Sequence, residues 1–254
     1  MARPVLIVAH GQPGDPAAQE QAIKALAARV GAMLPGQQVS GATLASEGAL
    51  AAALAPEALI YPMFMAGGWF TKVELPRRLA LTGVCGIKVL PPFGADPGIA
   101  TLALALLREA ADLRGWALSD VTVLIAAHGS GRSRAPAQAA QDLAQALRSE
   151  VAQIRCGFVE EAPFLADAAR DLGARAICLP FFATQAGHII EDLPQALEEA
   201  SFDGVVLPPI GMAKQVPALI AAAIRSGGGG VQIGRLRRSD NWEPAADGIK
   251  RHAP

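Results

Sequence analysis

The sequence predicts an α/β fold in two tandem halves, each a four-stranded parallel sheet flanked by helices. Three observations predict it. First, the chain repeats itself: "VLIVAHG" (Val5–Gly11) returns as "VLIAAHG" (Val123–Gly129), and "VLPPFG" (Val89–Gly94) returns as "VLPPIG" (Val206–Gly211). Pro62 and Pro76 find counterparts in Pro180 and Pro194, in the same order and with nearly the same offset. Second, short apolar runs recur that are apolar on both faces, as strands of a helix-covered parallel sheet must be. Third, these runs alternate with longer Ala- and Leu-rich segments of good helix formers. A repeating βα order brings right-handed crossovers.

The elements follow in order. The repeat places the halves at residues 1–116 and 117–230. The N-terminal "MARPVLIVAHG" reads as the first strand and not as a signal peptide, because its single apolar run is short and lacks a cleavage-site pattern. In the second half "VTVLIAA", "AQIRCGFV", "ARAICLPFF" and "GVVLPP" are the four strands. "APAQAAQDLAQALRSE" and "EDLPQALEEA" are helices between them. Four strands in this rhythm suggest a flavodoxin-like sheet of order 2-1-3-4, with the switch point between strands 1 and 3. After "SGGGG" (Ser226–Gly230) the composition turns polar, and residues 231–254 read as a flexible tail.

Composition narrows the function classes. The chain is 52% hydrophobic, 18% charged and has a formal net charge of -1, so it carries no electrostatic footprint for nucleic acid. Aromatic residues at 5% argue against a base-stacking surface. No apolar stretch approaches the ~18 residues of a membrane helix, so a cytoplasmic protein is expected. Cys85, Cys156 and Cys178 show no C-x-x-C spacing and read as buried free thiols.

Ligands of an open parallel sheet sit at the carboxyl ends of its strands, beside the switch point. Three residues of the second half fall there: His128 at the end of strand 1, Glu160 at the end of strand 2, and His188 in the loop after strand 3. The neighbouring Glu161 is an alternative to Glu160. Two neutral imidazoles and a carboxylate suit a borderline divalent metal such as Fe²⁺, Co²⁺, Ni²⁺ or Zn²⁺, and imidazole also accepts protons near neutral pH. Arg132 and Arg134, in "GSGRSRAP", follow His128 where the next helix begins and could fork onto carboxylates.

Taken together, "VLIAAHGSGRSRAP", "GFVEEAPFL", "LPFFATQAGHIIEDLP" and "VLPPIG" resemble the CbiX-type sirohydrochlorin chelatases, which are ATP-independent class II tetrapyrrole chelatases. The resemblance covers about residues 1–225. It implies two flavodoxin-like halves facing each other across a cleft. It implies insertion of Co²⁺ or Fe²⁺ into sirohydrochlorin, towards cobalamin or sirohaem, with the divalent metal as substrate and no prosthetic group. The residues that match the family's metal-binding and proton-accepting positions are His128, His188 and Glu160.

The first half departs from that pattern. It keeps His10 but has Phe70 opposite His188, beside Trp69, and no carboxylate matches Glu160; Glu47 is the nearest. His10 is expected to contact substrate, and Trp69 and Phe70 to form an apolar wall with Lys72, Arg77 and Arg78 nearby. The expected partner is thus a small tetrapyrrole, with the protein a monomer or homodimer. A non-catalytic tetrapyrrole- or metal-binding relative is the alternative. Two-histidine phosphatases require an Arg before the strand-end His, where this chain has Ala9 and Ala127. Neither a G-x-S-x-G elbow nor a phosphate-loop motif is present.

Overall fold

The structure is a computed structural model and describes residues 2–12, 14, 16–184 and 191–233. The first half contains β1 (Val5–Ala9), α1 (Pro16–Ala32), β2 (Val39–Thr43), α2 (Ala49–Ala53) and β3 (Leu59–Pro62). A π-helical turn at Phe70–Glu74 runs into α3 (Leu75–Leu81), followed by β4 (Lys88–Val89) and α4 (Ile99–Leu113). The second half contains β5 (Thr122–Ala127), α5 (Ala135–Leu147), β6 (Gln153–Phe158) and α6 (Leu165–Ala169). It continues through β7 (Ala176–Pro180), α7 (Asp192–Glu199), β8 (Val205–Val206) and α8 (Val216–Ser226), and β9 (Val231–Gln232) follows.

The two sheets have the orders β2-β1-β3-β4-β9 and β6-β5-β7-β8. The predicted 2-1-3-4 order therefore holds in both halves, with all of these strands parallel. Central strands β1, β3 and β7 are buried at every position, which is why they read as unbroken apolar runs.

The four-strand expectation needs one correction. The first sheet has a fifth strand, β9, antiparallel to β4, in a segment expected to be flexible tail. The glycine run that suggested a loose end has a packing reason. Gly227 and Gly229 take positive φ and reverse the chain after α8. A Cβ on Gly230 would meet Val89 O at 2.8 Å. The Ile233 amide then donates to Ile87 O at 2.9 Å. The rest of the tail lies outside the described residues.

Side chains alternate along each central strand. Val5, Ile7 and Ala9 of β1, with Leu59 and Tyr61 of β3, share one large core with Val123, Ile125 and Ala127 of β5 and with Ile177 and Leu179 of β7. The opposite faces build separate smaller cores beneath α2–α3 and α6–α7. The last helices of the halves are exchanged. α4 packs on α5 and β7 of the second half, while α8 packs on α1 and β3 of the first. Arg225 donates to Met33 O at 2.6 Å, and Lys214 pairs with Glu109 at 3.1 Å, across the same junction. Cys178 is buried and Cys156 half-buried, but Cys85 is exposed, contrary to expectation. Burial pushes the Cys156 thiol up to about 11 and that of Cys178 to about 12. No helix among the described residues is long and apolar enough to cross a membrane.

Candidate metal and tetrapyrrole site

The backbone builds the same strand-end platform twice. At the end of β5, Ala127 pairs with Phe158 of β6, and the Glu160 amide donates to His128 O at 2.9 Å. At the end of β1, Ala9 pairs with Thr43 of β2, and the Ala45 amide donates to His10 O at 2.9 Å. Each histidine is followed by a glycine in the left-handed region, Gly129 at φ 68° and Gly11 at φ 76°. This register identifies the counterpart of Glu160 in the first half as Ala45, not the neighbourhood of Glu47 that the sequence suggested.

In the second half His128 and Glu160 come together. Glu160 Oε2 stands 3.7 Å from His128 Nδ1, with side chains 48% and 39% exposed, so both reach solvent. His128 Nδ1 also lies 3.1 Å from Gly129 O. A carbonyl oxygen can only accept, so this contact puts the proton on Nδ1 and the basic lone pair on Nε2. Glu161 points elsewhere: its Oε1 accepts from the Ser130 amide at 2.7 Å. The two adjacent glutamates, interchangeable on sequence grounds, are thus separated by the structure. His188 lies outside the described residues. Among those described, no group of three or more His, Cys, Asp or Glu side chains could hold a metal ion.

Arg132 and Arg134 are exposed on the turn into α5 and make no ion pair among the described residues. The Ser130 hydroxyl accepts from the Arg132 amide at 3.2 Å, closing that turn.

In the first half His10 Nδ1 lies 2.7 Å from Gly11 O, repeating the arrangement at His128. Its ring meets the Phe70 ring edge-on, with centroids 4.2 Å apart. Trp69 packs edge-on against Phe70 at 5.0 Å, and Phe64 stacks beyond it at 6.4 Å. Trp69 is 55% and Phe70 39% exposed, so this aromatic wall faces outward. Its expected cationic rim is smaller than the sequence suggested. Arg77 forks onto the buried carboxylate of Glu74 with two bonds of 2.9 Å. Arg78 reaches the same carboxylate at 2.6 Å and also donates to Leu44 O. The guanidinium of Arg77, more than that of Arg78, holds the Glu74 carboxyl down to about 2 against the opposing effect of burial. Arg77 and Arg78 therefore fasten the π-helical turn under Phe70, and Lys72 remains the exposed cation of that loop. Nothing in the sequence signals this, because Glu74 reads as an ordinary helix-surface residue.

A cavity of about 750 Å³ lies between α4 and α8 and is lined by Tyr61, Asp96, Gln215 and mainly apolar side chains. None of His10, His128 and Glu160 lines it.

Comparison with known proteins identifies the family. The CbiX family model matches residues 122–226, the half that carries His128 and Glu160. No curated protein sequence matches the chain. A solved CbiX structure, that of the terminal enzyme for siroheme biosynthesis in denitrifying bacteria, is 60% identical. It superposes with a TM-score of 0.84 over 88% of this chain and 99% of its own. A multi-domain protein of Deinococcus radiodurans with structural similarity to chelatases (23% identity, TM-score 0.70) shares the fold over 89% of this chain and 56% of its own. SirB from Bacillus subtilis with Fe³⁺ (18% identity, TM-score 0.69) does so over 89% and 95%. With a 60% identical relative matched over nearly its whole length, the two-sheet chain that carries the His128–Glu160 pair belongs to the CbiX family of chelatases.

Proposed function

We propose that the protein inserts a divalent metal, Co²⁺ or Fe²⁺, into sirohydrochlorin without ATP. The observation that carries this reading is the His128–Glu160 pair, 3.7 Å apart at adjacent strand ends. The likeness to a siroheme-pathway CbiX supports iron as one physiological metal. The ligand chemistry itself suits cobalt equally well.

Metallation exchanges a dication for two pyrrole protons. His128 presents the Nε2 lone pair to the incoming metal or to a departing proton. Protonation there makes an imidazolium whose Nδ1–H already faces Gly129 O and the Glu160 carboxylate, which stabilises the charge and passes the proton to water. His188 supplies the second imidazole in this reading. His10 and the Trp69–Phe70 wall hold the opposite face of the ring, and Lys72, Arg132 and Arg134 meet its peripheral carboxylates. Both walls come from one chain, so the reaction needs no second copy.

The test follows the absorption spectrum of sirohydrochlorin with Co²⁺, Fe²⁺ and Ni²⁺ supplied separately. Turnover beyond one equivalent per chain is expected for the physiological metal, and His128→Ala and His188→Ala should abolish it. Full activity in both variants refutes the residue assignment. A spectral change that stops at one equivalent points instead to a binding protein.

A further inference from the structure

Glu161 and Glu160 are adjacent, yet only one of them faces His128. The Glu161 carboxylate lies beneath the turn His128–Gly129–Ser130, where its Oε1 accepts from the Ser130 amide at 2.7 Å. The other end of the turn is fixed by the sheet: His128 O accepts from the Val159 amide at 3.2 Å and the Glu160 amide at 2.9 Å. Gly129, between these anchors, is buried and left-handed. A Cβ built there would meet Glu161 Cγ and Phe158 Cβ at 2.9 Å and Glu161 Oε1 at 3.0 Å. Glu161 thus fills the space that glycine leaves and hydrogen-bonds the amide that follows. The carbonyl of the same Gly129 sets the proton position on the His128 ring at 3.1 Å. In the first half the register places Ser46 where Glu161 stands, a side chain too short to fill the same space.

We infer that Glu161 is a positioning residue: its carboxylate clamps the His128–Gly129–Ser130 turn and so fixes the orientation and tautomer of His128. This rests on the reading of His128 as a metal- and proton-handling group. Glu161 acts through the turn and touches neither metal nor tetrapyrrole. Groups that orient a metal-handling histidine without touching the metal change metal affinity or activity by ~10- to 100-fold when removed.

The test compares Glu161→Leu, which keeps volume but cannot accept a hydrogen bond, with Glu161→Gln, whose amide oxygen still can. Two quantities are read on the full chain: the Kd for Co²⁺ without tetrapyrrole, and kcat and KM for sirohydrochlorin metallation. Glu161→Leu should weaken Co²⁺ binding and lower kcat by ~10- to 100-fold, with KM within about twofold. Glu161→Gln should recover most of both losses. Should the leucine variant fail to fold, judged by circular dichroism, Glu161→Ala takes its place. Wild-type Co²⁺ affinity and kcat in a folded Leu or Ala variant overturn the inference. A Gln variant as defective as Leu also overturns it, because charge and not the clamp would then matter. If the wild type binds Co²⁺ but metallates no sirohydrochlorin, the functional reading fails while the Co²⁺ affinities still decide the role of Glu161.

Discussion

Adding one methyl group at Gly211 should cripple the enzyme, whereas the same change at Gly94 should spare its chemistry. Both glycines end the repeated "VLPP-x-G" segment, and both lie against the loop that leaves the third strand of their half. A Cβ at Gly211 would stand 1.9 Å from Ala183 O, and one at Gly94 would stand 2.0 Å from Met65 O. Ordinary contact begins near 3.4 Å, so backbone must yield by about 1.5 Å in either case. Neither loop can yield freely: the Gly211 amide donates to Phe182 O at 2.9 Å, and the Gly94 amide to Phe64 O at 3.0 Å. Overpacking of this kind costs roughly 1–3 kcal/mol, which for a chain of this size lowers Tm by about 2–12 °C in both variants. The functional consequences differ because the loops differ. The Ala183 loop leads to His188, and a misplacement near 1 Å costs about 10²-fold in rate. Gly211→Ala should therefore lower kcat for sirohydrochlorin metallation by about 100-fold. Gly94→Ala disturbs the Met65 loop, which leads to Trp69 and Phe70, and should act mainly on KM. Paired thermal melts and steady-state metallation assays measure both effects. Equal kcat losses in the two variants, or a Gly211→Ala enzyme of normal kcat, would falsify the assignment of the chemistry to the second half.

Two further perturbations test the support beneath the site. Glu74 is held near 2, so its stabilisation is fully present above the ordinary carboxylate range and disappears as pH falls from about 4.5 towards 2. Glu74→Gln should lower Tm at pH 7, and the gap to wild type should close over that acid window; a gap independent of pH contradicts the ion-pair account. Tyr61→Phe removes the phenol that donates to Asp96 Oδ2 at 2.9 Å in the buried wall of the α4–α8 cavity. Leaving that carboxylate oxygen without its partner should cost about 1–3 kcal/mol in denaturant unfolding with kcat unchanged. A neutral Tyr61→Phe would mean that water replaces the phenol.

What the sequence discloses and what it hides divide along physical lines. Continuous apolar runs disclose the central strands, because β1, β3 and β7 are buried at every position and leave no room for polar residues. The repeat of His-Gly discloses the strand-end turns, because the left-handed residue after each histidine requires glycine. β9 stays hidden, since two residues pairing at a sheet edge leave no periodicity to read. The choice between Glu160 and Glu161 is equally illegible. It depends on which of two neighbouring side chains turns over His128 and which turns under Gly129, and composition carries no trace of that. Arg77 and Arg78 mislead for the opposite reason: their charge is conspicuous, while the buried carboxylate that occupies them sits one turn away among ordinary helix formers.

The exchanged helices make each half depend on the other for its packing. In the first half Ala45 holds the register position of Glu160, and the Phe70 ring presses against His10. Yet α4 belongs to that half in sequence and to the second half in packing, with Ala103, Leu107 and Ala111 fully buried in the common core. α8 and β9 return the exchange on the sheet of the first half. Removing the first half would therefore strip the cover from β7, the strand that leads into the His188 loop.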